Sequence, residues 1–206
     1  LGYGIASVLS GKVSPAARLN MTWYLSDEDL PEINDYDIIQ GKRTYQYFDG
    51  KVLYPFGFGL SYSRFEYSNM TLTKEADGIK VTVIVKNAGE VTADEVVQLY
   101  VHEESSRVKQ PIRQLKGFDR VKNLIPGENR EVTFFVKDKD LRYFDVISEE
   151  LLLEEGDYTF MVGVSAEDIR LHQTVFVEGT KAGFRNPFAE TKAEQYDAYE
   201  NCFIHK

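Results

Sequence analysis

The feature that most constrains this chain is a train of short alternating apolar segments, broken by turn signals about every dozen residues, running from Phe65 to Gly179. Phe65, Tyr67, Met70 and Leu72 form the first. After the Asp77-Gly78 turn, Ile79, Val81, Val83 and Val85 alternate with polar partners until Asn87-Ala88-Gly89 ends the run. A period of two puts one set of side chains on one face of a strand, so each segment reads as a strand with a buried side. Residues 96–101 give a third strand, residues 112–118 behind Pro111 a fourth, and Val132, Phe134 and Val136 a fifth after the Pro126-Gly127 turn. Residues 151–153, 158–164 and 169–177 supply the remainder. Seven to eight short strands with such punctuation are the pattern of an immunoglobulin or fibronectin type III sandwich. The single cysteine, Cys202, excludes an intrachain disulfide, so such a sandwich must hold by packing alone.

The preceding stretch is rich in glycine, proline and tyrosine and has another texture. Ile5, Val8 and Leu9 recur at helical spacing and stop at Gly11, a C-cap, ahead of Pro15. This reads as the last helix of something larger. Residues 18–24 are a candidate terminal strand. Residues 27–59 show almost no periodicity, which suits a strap laid on another body better than an independent compact domain. The chain starts at Leu1, and Gly2 to Ser10 has no basic flank, so it does not read as a signal peptide; the expectation is that a longer chain has been cut. The fold expected is mainly β: a fibronectin III/immunoglobulin-like β-sandwich over residues 63–179, preceded over residues 1–62 by a short α/β remnant and an irregular aromatic strap. Residues 180–206, where Tyr196, Tyr199 and Phe203 alternate with acids, are expected to be an irregular tail or connector.

Charge and motif content narrow the function. With 24 basic and 33 acidic residues, a net charge of −9 and a pI near 4.9 argue against nucleic acid or an anionic membrane surface as partner. No apolar run approaches the roughly 18 residues of a membrane span. Asp27, Glu28, Asp29, Glu32, Asp35 and Asp37 supply carboxyls, but they crowd among turn residues, whereas a glycosidase sets one raised acid and one ionised partner about 5–9.5 Å apart. A solvated loop is the reading they favour. No EF-hand spacing marks a calcium loop at Asp35 to Asp37 or Lys137 to Asp140, and His102, His172 and His205 lack zinc spacing, so no metal or other cofactor is expected. No nucleophile elbow, P-loop or dinucleotide fingerprint is present, since Gly57-Phe58-Gly59 lacks both the preceding strand and the third glycine. Asn20-Met21-Thr22 and Asn69-Met70-Thr71 match the N-glycosylation pattern, which matters only in a secreted eukaryotic chain.

The most informative stretch is Arg43-Thr44-Tyr45-Gln46-Tyr47-Phe48 followed by Leu53-Tyr54-Pro55-Phe56-Gly57-Phe58-Gly59-Leu60-Ser61-Tyr62. Glycine and proline points between aromatics suit a chain that bends sharply while wedging rings against another surface, and exposed rings can also stack on sugar faces. This stretch resembles the segment of family 3 glycoside hydrolases that ends the α/β sandwich domain and leads into a fibronectin III-like domain. Val8 to Gly11 and Pro15 to Leu19 resemble the helix-to-strand exit of that sandwich domain. Val97-Gln98-Leu99-Tyr100-Val101, Leu115-Lys116-Gly117-Phe118 and Leu124-Ile125-Pro126-Gly127-Glu128 resemble strands and turns of the fibronectin III-like domain. Ala16-Ala17 and Asn20-Met21 are mild departures, where Ser-Gly and a proline are commoner.

The resemblance implies retaining hydrolysis of terminal β-linked sugars by an aspartate on a β/α barrel and a glutamate on the sandwich domain. Neither has a match here: the only tryptophan, Trp23, follows Thr22, and no Lys-His pair occurs. No catalytic residue is therefore assigned. The expected role is a non-catalytic brace for the remaining catalytic domains of a parent enzyme acting on a β-linked saccharide, with Tyr45, Tyr47 and Phe48 as candidate contacts at the substrate rim. The rival readings are a free-standing carbohydrate-binding or adhesion module, and an enzyme built on the acids of residues 27–37.

Overall fold

The computed structural model describes residues 2–145 and 148–180. The tail expected beyond Thr180, with Cys202 and His205, lies outside the described residues. The chain opens with helix α1 (Gly2–Leu9), and Gly11 ends it at φ 73°, a left-handed conformation that a side chain would strain. The strand expected over residues 18–24 is only β1 (Trp23–Tyr24), which pairs with β2 (Val52–Tyr54). Upstream of β1 the backbone bonds to the later aromatic stretch instead: Leu19 N–H donates to the Phe58 carbonyl and Gly57 N–H to the Leu19 carbonyl, both at 2.8 Å. Between β1 and β2, a single 3-10 turn (Asp27–Asp29) and helix α2 (Thr44–Tyr47) interrupt an otherwise irregular path.

Two antiparallel sheets follow. β3 (Phe65–Glu75), β4 (Gly78–Asn87) and β7 (Asn129–Lys137) make one, in the order β3-β4-β7. The other has the order β11-β10-β5-β6, from β5 (Ala93–Glu103), β6 (Gln114–Leu124), β10 (Gly156–Gly163) and β11 (Ile169–Val177). A small hairpin of β8 (Tyr143–Asp145) and β9 (Glu150–Leu152) lies between β7 and β10 in sequence. Its first strand has no period to read, being three residues long.

The sheets share one core. Val81, Val83 and Val85 of β4 and Val132, Phe134 and Val136 of β7 meet Val97, Leu99 and Val101 of β5 and Phe160 and Val162 of β10. This is the inner face of a three-plus-four β-sandwich, and each element contributes alternate residues to it. β6 begins two residues later than residues 112–118 suggested and runs on through Asp119-Arg120-Val121-Lys122-Asn123. It is an edge strand, so its outward side takes polar residues without cost.

β5 is the exception to alternation. Ala93, Val97, Leu99 and Val101 face the core, yet Gln98 and Tyr100 on the other side are buried too. A strand buried on both faces must be covered on both. The cover is the segment before residue 62.

Candidate functional site

The aromatic stretch is clamped to the outer face of β5 by Gln98. Its Nε2 donates to the Gly57 carbonyl at 3.1 Å and to the Val164 carbonyl at 2.6 Å, while the Tyr100 hydroxyl donates to its Oε1 at 2.6 Å. Gly57 sits at φ 81°, and a Cβ there would strike the Gln98 amide. Only glycine permits that approach. Phe56 is held alongside, its carbonyl accepting from Ala166 N–H at 2.9 Å.

Tyr45 docks on this platform. Its ring stacks on Phe56 with centroids 4.2 Å apart, meets Tyr100 edge-on at 6.0 Å, and its hydroxyl accepts from Leu115 N–H at 3.2 Å. Phe48 lies edge-on to Tyr24 at 4.8 Å. Tyr47 points elsewhere: it is half-buried, burial raises its hydroxyl pKa, and it lines an open cavity of about 720 Å³ with Gln46 and residues 34–39. The three residues singled out from sequence thus lie together on α2 and its C-cap, but their rings go to three different places. Lys42 at φ 46° and Thr44 at φ 63° introduce α2 through left-handed backbone, a conformation that costs of order 1–3 kcal/mol per residue and persists only where the surroundings impose it. The Tyr24 hydroxyl accepting from Thr44 N–H at 3.0 Å is one such constraint.

A second tie between strap and sandwich is ionic. Glu95 on β5 is 1% exposed, bonded by Arg18 Nη2 at 2.8 Å and by the Tyr67 hydroxyl of β3 at 2.7 Å. Burial pushes the Glu95 carboxyl up despite the guanidinium beside it.

The acids of residues 27–37 shape the local backbone. Asp29 closes a capping box with Ser26, Asp35 Oδ1 accepts from Asp37 N–H, and Asp37 Oδ1 accepts from the N–H groups of Ile39 and Gln40, each at 2.9 Å for the last three bonds. They are turn-forming carboxylates. His102 Nδ1 bonds the Pro111 carbonyl at 2.8 Å, and His172 lies on the exposed side of β11. Among the described residues no three His, Cys, Asp or Glu gather as a metal site would require.

Two carboxyls that no motif marks do come together: Glu103 at the end of β5 and Glu154 just before β10. Burial first, then the Glu154 carboxylate, raise the Glu103 pKa. The cavity beside Glu103 measures only about 20 Å³, room for one water and not for a sugar ring.

Two family models match the chain. The model of the glycosyl hydrolase family 3 C-terminal domain matches residues 1–62, and the model of the fibronectin type III-like domain matches residues 95–166. The chain belongs to the family 3 glycoside hydrolases. It corresponds to the C-terminal part of that family's architecture, with its fibronectin III-like domain. Thermostable beta-glucosidase B of Acetivibrio thermocellus is 36% identical over 195 residues, covering 87% of this chain and 26% of that protein. Beta-glucosidase 3B from Thermotoga neapolitana, solved in complex with glucose, superposes with a TM-score of 0.78 at 31% identity, over 85% of this chain and 26% of that one. The Bifidobacterium adolescentis GH3 beta-glucosidase gives 0.81 at 32% identity, over 92% and 30%. This family member therefore spans about a quarter of the length of its relatives.

Proposed function

We propose that this chain is the non-catalytic buttress of a family 3 β-glycosidase, bracing the domains that carry the reactive carboxyls. The parent enzyme would hydrolyse terminal non-reducing β-D-glucosyl or related residues with retention, as the names of its relatives suggest for the sugar. The observation that carries this reading is the exposure of large apolar side chains along the segment before residue 62. Leu9 is 78% exposed and Tyr36 86%, and Ile5, Leu30, Ile33 and Leu60 are exposed with them, while Arg18 and Gly57 hold the same segment to the sandwich. So many exposed apolar side chains on a segment that is itself anchored to the sandwich are what a buttress needs. The bodies that would cover it are the remaining catalytic domains.

In this reading the sandwich acts as a rigid mount. β5 fixes Gln98, Gln98 fixes Gly57 and Phe56, and Phe56 seats Tyr45, so α2 is presented toward the missing body with Tyr47 and its cavity outward. Tyr45, Tyr47 and Phe48 would then form part of the substrate rim, Tyr47 by direct contact and the others by holding α2.

The test is the purified chain against p-nitrophenyl β-D-glucoside and, separately, calorimetric titration with cello-oligosaccharides. We expect neither turnover above the buffer rate nor measurable heat. Turnover well above buffer would refute the non-catalytic role, and saccharide affinity in the isolated sandwich would favour a free-standing carbohydrate-binding module.

A further inference from the structure

The Glu103 and Glu154 carboxyls are not used by any of the contacts that carry the proposed function. Both are buried, at 8% and 6% exposure, at the end of the sandwich where β5 hands over to the segment 104–113. Glu154 is fully engaged as an acceptor. The Ser106 hydroxyl donates to it at 2.6 Å, Arg107 N–H reaches both its oxygens at 3.3 Å, and Arg107 Nε pairs with its Oε1. Ser106 in turn accepts from Val108 N–H and from Gln110 Nε2, so the whole first half of the segment is folded on one carboxylate. The other half is tied at Pro111, whose carbonyl meets His102 Nδ1, and at Ile112, whose N–H donates to the Gln46 carbonyl of α2 at 2.6 Å.

Three donors, the Ser106 hydroxyl, Arg107 N–H and Arg107 Nε–H, converge on Glu154, an arrangement suited to a carboxylate acceptor. Glu103 beside it then faces a carboxylate, and its Oε1 is buried without a hydrogen-bond partner. The surrounding charges do not compensate a second anion. The Arg107 guanidinium is shared between Glu154 and the Tyr143 hydroxyl of β8, and Asp145 of the same strand adds a third buried carboxyl. Tyr158 of β10, which donates to the Glu154 carbonyl, and Arg107 favour the Glu103 anion by less than burial and Glu154 oppose it. Lys116 of β6 lines the same small cavity but spends its ammonium on the Asp140 carbonyl.

We propose that Glu103 and Glu154 form a proton-operated latch: with a proton on Glu103 the segment 104–113 stays clasped to Glu154, and loss of that proton releases it. The released segment would loosen its bond to Gln46, and so α2, while the sandwich core stays folded. This goes beyond the proposed function and does not rest on it.

Two measurements on the full chain test it. Hydrogen exchange of residues 104–113, corrected for the intrinsic pH dependence and referenced to β4, should show protection lost by tenfold or more as pH passes about 8, where the Glu103 carboxyl titrates. Glu103→Gln should abolish that transition, because the amide stays neutral. The folding equilibrium supplies the second readout. Glu103 holds its proton in the folded state above the pH at which an unfolded glutamate releases it, so stability falls between about pH 4.5 and pH 8 and then levels off, by at most about tenfold per pH unit. The variant should flatten that fall. Unchanged protection of 104–113 in the wild-type chain up to pH 9.5 overturns the latch without need of any variant, and so do parallel curves for wild type and Glu103→Gln.

Discussion

Asn87 shows how much of this sandwich rests on single polar side chains. It lies at the end of β4 with no exposure, and all of its amide capacity is used: Nδ2 donates to the Val91 and Leu124 carbonyls, and Oδ1 accepts from the Ser63 hydroxyl and Gly89 N–H. Its own backbone holds the exit of the Pro126-Gly127 turn, accepting from Gly127 N–H and donating to the Glu128 carbonyl. Removing the amide strands buried partners in three segments, so Asn87→Ala should cost about 3 kcal/mol, read as a lower urea midpoint at unchanged slope. Glu95 is the ionic counterpart. Arg18→Met leaves a buried carboxylate unpaired and should cost about 3–5 kcal/mol at neutral pH. The sign with pH is fixed by the raised Glu95 pKa: the folded state keeps its proton longer than the unfolded state does, so stability falls as pH rises above the ordinary carboxylate range. Without Arg18 that fall should steepen, so the variant should lose less melting temperature at pH 4.5 than at pH 7.5.

At the scale of elements, the interface between strap and β5 is decided by a contact that only one residue type allows. Gly57 and Gly127 both sit at φ 81°, but a Cβ at Gly57 meets the Gln98 amide whereas one at Gly127 meets nothing within 4 Å. Gly127→Ala should therefore cost about 1 kcal/mol of backbone strain alone. Gly57→Ala should cost more, and should also expose Tyr100 by lifting Phe56 and Tyr45 from β5; near-ultraviolet circular dichroism would record the lost aromatic packing. Equal effects of the two substitutions would mean that the strap is not seated by Gln98. Two elements that sequence periodicity could not show, β2 and β8, have three residues each, too few to establish a period of two. α2 escaped for the same reason, being one turn long and entered through left-handed backbone at Thr44.

For the molecule as a whole, a well-packed sandwich carries an aromatic segment with many exposed apolar side chains. If the proposed buttress role holds, Tyr45→Ala should leave the sandwich folded yet loosen α2, and in a parent enzyme should raise KM for an aryl β-glucoside more than it lowers kcat, as steady-state kinetics would show. The strands and their inward residues are legible along the chain, because alternation of apolar and polar residues is a local signal and the turns between them carry glycine, proline and asparagine. The period of β5 also places two acids on a core face, since Glu95 and Glu103 share the inward phase of Val97, Leu99 and Val101. What meets them depends on folding. Arg18 lies 77 residues from Glu95 and Glu154 lies 51 from Glu103, and no pattern along the chain encodes contacts between segments that approach each other only after the sheets have closed.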